Sequence, residues 1–272
     1  MKFLLTFFLL PCLVFGQTDS SSPFSIGEVL NLKSSILSEN RTLNVYLPYG
    51  YGEDSSRSYP VIYLLDGSAN EDFIHIAGLV QFGNFPWVAL LPPSILVGIA
   101  NTDRKRDFTY PTKIEKDKQS FPSQGGSAAF IQYLEQEVQP LIEQTYQTTS
   151  TKTLIGQSLG GLLGTEILLK HPQLFTHYII VSPSLWWDNE SLLTADIGWL
   201  TQSQENPVGV YLAVGKEGEI MERDTKQLAD LLEAGNGQSL HLHFDYLKEL
   251  NHGNILHQAV YRAFDHLFGK SD

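Results

Sequence analysis

Short apolar runs alternate with segments of helical period along most of this chain. Residues 43–47, 61–65, 95–99, 153–155, 178–181, 208–214 and 241–247 read as strands. Several of these runs are continuously apolar, the pattern of strands buried on both faces of a parallel sheet. Residues 73–82, 128–145, 162–170, 224–234 and 255–268 place apolar side chains at i, i+3 and i+4 and read as helices. The alternation predicts an α/β fold: a doubly wound, mostly parallel sheet with helices on both faces and no large separate cap domain. Residues 101–124 are polar, charged and interrupted by proline, so they read as a long loop over the strand ends. No internal repeat or low-complexity linker breaks the pattern, and residues 17–272 read as a single domain.

The first 16 residues stand apart. Lys2 precedes an apolar run from Phe3 to Phe15, and Val14 and Gly16 are small enough to precede a cleavage point at Gln17. That is the composition of a secretory signal peptide, too short to span a bilayer. The expectation is a secreted or periplasmic protein with no stable membrane insertion once the leader is removed. Cleavage would take away Cys12, the only cysteine. The mature chain would then hold no disulfide, thiolate nucleophile or zinc-thiolate site. With 42% hydrophobic and 11% aromatic residues the chain can bury a full core. Its net charge of −12 repels phosphate backbones, so no nucleic-acid partner is expected.

Candidate chemistry begins at Gly156-Gln157-Ser158-Leu159-Gly160, a G-x-S-x-G string with a predicted strand before it and a predicted helix after it. Strand, sharp turn and helix are what a nucleophile elbow requires, and flanking glycines leave room for a strained turn. Ser158 is the candidate nucleophile, and the Leu159 N–H at the helix start is a candidate oxyanion donor. A serine at its ordinary pKa needs a base. In this arrangement the order along the chain is serine, acid, histidine. His252, in Leu250-Asn251-His252-Gly253, falls between the last strand and the last helix and is the candidate base. His241 and His243 lie in a strand, and His257 and His266 on the final helix, so they read as packed or solvated residues. Glu217 is the favoured acid, in the loop after 208–214, with Glu219 and Asp188 as alternatives and Asp224 already on the next helix.

A second oxyanion donor should come from the turn after 61–65, at the backbone N–H of Gly67 or Ser68. Arg104 and Arg106, after 95–99, are candidates for binding an anionic or catechol-like group, unless they pair with Asp103 or Asp107 to hold the loop. Trp186 is a candidate pocket wall, although it or Trp187 would serve equally as core.

These residues resemble the “Putative esterase” family of α/β hydrolases, the group of enterochelin and bacillibactin esterases, related to esterase D. Similar to that family are Tyr63-Leu64-Leu65-Asp66-Gly67, the stretch from Gly98 to Thr109 with its R-x-R-D-x-T, Gly156–Gly161, Ser182–Trp187, Val214–Glu217 and His252–His257. The resemblance covers most of the mature chain. It implies an α/β-hydrolase fold, a Ser158 nucleophile, a His252 base, and backbone donors at Leu159 and the Asp66–Ser68 turn. One departure is Tyr110, which stands between Thr109 and Pro111 where the siderophore branch often runs Thr-Pro directly.

The expected function is therefore a serine carboxylic-ester hydrolase working through an acyl-enzyme, with no metal and no cofactor. Its expected substrate is a small-molecule ester, such as a siderophore, or an acylated carbohydrate. An acyltransferase using the same intermediate and a non-catalytic binding module on the same fold are the rival expectations.

Overall fold

The computed structural model describes residues 21–195, 197–201, 207–235 and 239–269. The leader expected over residues 1–16 lies outside the described residues. Eight strands form one sheet: β1 (Glu28–Ser34), β2 (Glu39–Tyr46), β3 (Tyr59–Leu64), β4 (Ile95–Ile99), β5 (Thr148–Gln157), β6 (His177–Val181), β7 (Val208–Gly215) and β8 (Leu240–Leu247). Their order is β1-β2-β4-β3-β5-β6-β7-β8. β2 is antiparallel to both β1 and β4, and every other neighbouring pair is parallel. β1 was not among the strands expected from sequence. It is a half-exposed edge strand without a continuous apolar run, paired to β2 through a hairpin at residues 35–38.

The helices are α1 (Phe73–Gly83), α2 (Arg104–Asp107), α3 (Glu115–Ser120), α4 (Ser127–Tyr133), α5 (Gln139–Thr145), α6 (Leu159–Lys170), α7 (Glu219–Gly235) and α8 (Ile255–Phe268). The loop expected over 101–124 thus holds two short helices. The helix expected over 128–145 is divided by a π-helical turn at Leu134–Val138. Pro140 follows that turn and has no N–H for the regular ladder, so the hydrogen bonding rearranges ahead of it.

Side chains alternate across the sheet and feed two cores. α1 and α8 cover Ile62, Leu64, Ile155, Ile179, Val181, Tyr211 and Ala213 on one face. Residues of α4, α5, α6 and α7 cover Val61, Tyr63, Leu154, Tyr178, Ile180, Val210 and Leu212 on the other. The chain leaves β3 toward the α1 face and returns to β5 across the opposite face. A crevice therefore opens at the carboxyl ends of β3 and β5, where ligands bind in open α/β sheets.

Candidate active site

Three non-glycine residues with positive φ stand just beyond strand ends around that crevice: Asp66 (φ 56°) after β3, Ser158 (φ 59°) after β5 and Ser182 (φ 45°) after β6. Such backbone costs energy and persists where the surrounding structure over-determines it. At Ser158 the chain turns from β5 directly into α6, with ψ at −118°. The turn depends on Gly156, where a Cβ would lie 2.4 Å from the Gly160 carbonyl oxygen. Ser158 Oγ sits 3.3 Å from Ser184 Oγ. The Ser158 carbonyl accepts from the Ser184 N–H at 3.0 Å. Ser184 was not singled out as a site residue. The Ser182-Pro183-Ser184 string was its only sequence signal.

The connection from β8 to α8 carries His252. Its carbonyl accepts from Gln157 Nε2 at 2.6 Å, which ties this loop to the residue before Ser158. His252 Nδ1 lies 2.6 Å from Glu217 Oε2. Glu217 Oε1 accepts from Ser182 Oγ at 2.5 Å and from the Gly215 N–H at 3.0 Å. The Glu217 side chain is 2% exposed, whereas that of His252 is 47% exposed. Burial pushes the Glu217 pKa up, but the hydrogen bonds from His252, Ser182 and Gly215 outweigh it and hold the carboxyl below its ordinary value. Glu217 is thus an ionised acceptor fixed on both oxygens. With Nδ1–H donating to it, the distal Nε2 of His252 keeps its lone pair for a proton.

Ser158 and His252 border a cleft of about 580 Å³ together with Ser184, Trp186, Lys216, Glu217, Met221 and Asn251. On its other side the same two residues border a hollow of about 410 Å³ with Asp66, Glu71, Asp72 and Arg104. A larger cavity, about 730 Å³, lies by Ser150, Thr176 and His177, where β5 and β6 begin, at the opposite end of the sheet from Ser158.

The other sequence candidates divide. Leu159 is the first residue of α6 and adjoins Ser158, so its N–H has no intrahelical acceptor. Gly67 does not offer the free donor expected of it, because its N–H donates to the Ile99 carbonyl at 3.0 Å, extending the contact between β3 and β4. The Ser68 N–H points at Glu71 Oε2, 3.2 Å away. Arg104 borders the hollow, but its guanidinium is bidentate on Asp66 at 2.6 and 2.8 Å. Arg106 borders neither space that holds Ser158. It pairs with Glu39 at 2.6 Å and Asp107 at 2.7 Å, and the same two carboxylates hold the buried Arg41. For Arg106 the loop-holding reading replaces the substrate-binding one. Trp186 lines the cleft, while Trp187 is fully buried with its Nε1 donating to the Tyr110 carbonyl. Asp188 accepts from Thr112 and the Lys113 N–H, and Asp224 pairs with Arg223. Glu219 is an exposed residue at the start of α7. Glu217 is the candidate acid that meets His252.

Residues 34–260 match the family described as “Putative esterase”. The chain belongs to this esterase family. It is 31% identical over 265 residues to the ferri-bacillibactin esterase BesA of Bacillus subtilis (strain 168), covering 90% of this chain and 91% of that one. Among solved structures, an IroE-like serine hydrolase from Shewanella oneidensis matches at 29% identity and a TM-score of 0.81, over 90% of this chain and 82% of the other. The BES protein from Bacillus cereus matches at 26% identity and a TM-score of 0.82, over 95% and 100%. The fold is that of the α/β hydrolases, as the sequence implied, and the esterase is a carboxylic-ester hydrolase.

Proposed function

We propose that this esterase works as a serine hydrolase with Ser158, His252 and Glu217 in the roles of nucleophile, base and acid. Ser158 Oγ attacks the ester carbonyl while His252 Nε2 takes its proton. Glu217 fixes the Nδ1–H tautomer and stabilises the imidazolium that forms. The Leu159 N–H donates to the oxyanion, and His252 then protonates the departing alkoxide. Water resolves the acyl-enzyme with His252 again as base, and the exposure of His252 gives that water access. The 2.6 Å contact of His252 with Glu217, on the cleft that also holds Ser158, carries this reading.

For substrate we propose a siderophore ester. The support is the similarity to a ferri-bacillibactin esterase, joined to a cleft where Trp186 and Met221 offer an aromatic and apolar wall and Lys216 a cation. Such a wall suits an aromatic, anionic arm on the ester. Residues 1–16 support export, and hence action outside the cytoplasm. The test is labelling of purified 17–272 with a fluorophosphonate probe and mapping of the adduct by mass spectrometry. The expected result is label on Ser158, lost in His252→Ala. Folded protein that takes no label, or takes it elsewhere, would overturn the assignment.

A further inference from the structure

The sheet face beneath α8 changes chemistry at its edge. On β6 and β7 the residues facing α8 are Ile179, Val181, Tyr211 and Ala213, all buried. The register carries these positions onto β8 as Tyr211↔His243 and Ala213↔Asp245. Two buried rows, Ile179–Tyr211 and Val181–Ala213, therefore end on β8 in a histidine and an aspartate. His266, on the last turn of α8, covers them. Its ring centroid is 3.5 Å from that of His243, with the planes 23° apart. Tyr211 extends the stack, 5.5 Å from His243. His243 Nε2 lies 3.1 Å from Asp245 Oδ1, and Tyr211 donates its hydroxyl to Asp245 Oδ2 at 2.6 Å. Arg262 Nη1 is 3.9 Å from the same Oδ2. One donor atom from each of His243, Asp245 and His266 lies within 4.8 Å of the others.

We propose that His243, Asp245 and His266 bind one divalent transition-metal ion of the zinc class, clamping β8 to α8. Two imidazole nitrogens with one carboxylate oxygen are a donor set for zinc, nickel or copper, and a poor one for magnesium or calcium. Three protein ligands leave a coordination position for water. Asp245 Oδ2 is held by the Tyr211 hydroxyl, which leaves Oδ1 turned toward the histidines. Tyr211 then acts as the outer partner that orients the carboxylate. Stacked imidazoles direct their lone pairs side by side, so one ring turns on binding. His266, exposed on its helix, has the room to do so.

The ion would join the two elements that bracket the His252 loop, since β8 ends at Leu247 and α8 begins at Ile255. Its role is to brace that loop, and the ester chemistry does not pass through it. The site stands whether or not the Ser158 reading does.

The test is a titration of metal-stripped protein with zinc chloride by calorimetry, with the melting temperature followed in parallel. One equivalent is expected to bind and to raise the melting temperature. Affinity should fall by more than about tenfold in His266→Ala and in Asp245→Asn, with the thermal gain reduced alike. His75→Ala removes the other close histidine stack, His75 on His257 at 3.5 Å, and should leave zinc binding as it was. Absence of stoichiometric binding, unchanged affinity in His266→Ala, or loss in His75→Ala would each overturn the proposal. His266 is exposed and alanine is a strong helix former, so that variant keeps the fold.

Discussion

Among the described residues three histidines face a carboxylate, and they differ in which ring nitrogen does so. His252 meets Glu217 through Nδ1 at 2.6 Å. His243 meets Asp245 through Nε2 at 3.1 Å, and His257 meets Asp72 through Nε2 at 3.4 Å. Pairing through Nδ1 leaves the distal nitrogen free to reach a substrate, whereas pairing through Nε2 turns that nitrogen inward. The carboxylates differ as well. Glu217 is 2% exposed and held by two further donors, while Asp245 and Asp72 are 22% and 31% exposed. Burial raises the Asp72 pKa, and nearby Asp66 and Glu71 add to it against the pull of His257. A histidine beside an acid is thus common in one fold. The arrangement suited to catalysis is the one with a saturated, buried acid on the near nitrogen.

The sharpest way to break this comparison is to remove the proposed base. His252→Ala should cut kcat/KM by about 10⁴-fold or more, and Glu217→Gln should cut it by about 10⁴-fold through loss of the tautomer lock. His257→Gln should leave turnover close to that of the parent. Steady-state hydrolysis of one activated ester in all three proteins decides it. A comparable loss in His257→Gln would erase the distinction between the pairs.

A finer cut tests the saturation of Glu217. Ser182→Ala removes one of its donors and should lower kcat by about tenfold. The folded pKa of Glu217 is depressed, so the pair stabilises the fold above the ordinary carboxylate range, and that stability is lost as pH falls through the folded value. Losing the Ser182 donor raises the folded value. The carboxylate, less satisfied by its donors, holds the His252 proton more strongly, so the acid limb of the kcat/KM profile should move to higher pH in Ser182→Ala. The acid loss of melting temperature linked to Glu217 should be smaller in that variant and complete at higher pH. An unmoved acid limb would mean that Ser182 only fills space.

What could be read from sequence follows how local each feature is. The turn at Ser158 is legible because strand, glycines and helix are contiguous. His252 is legible because a loop between the last strand and the last helix opens at the carboxyl edge of the sheet. The acid was narrowed to a few carboxylates but not fixed, since choosing Glu217 over Asp188 requires knowing that β6, β7 and the His252 loop converge. The engagement of the Gly67 N–H and the choice between the two readings of Arg106 were not legible for the same reason. Their partners, Ile99 and Glu39, are distant in the chain, and no periodicity announces them. β1 escaped notice because an edge strand with one solvated face has only weak alternation.

The smallest expected effect belongs to the His257 pair, and it concerns stability. Burial lowers the His257 pKa, the adjacent His75 lowers it further, and Asp72 opposes both incompletely. Folded protein therefore binds a proton at His257 less readily than the unfolded chain does. As pH falls through the ordinary imidazole range the unfolded state gains protons first, and stability drops. His257→Gln removes that titration while keeping a polar side chain beside Asp72. The fall in melting temperature between about pH 7.5 and about pH 5.5 should then be shallower by about 2 °C. An unchanged slope in His257→Gln would mean that the buried pair is the wrong source of the acid sensitivity.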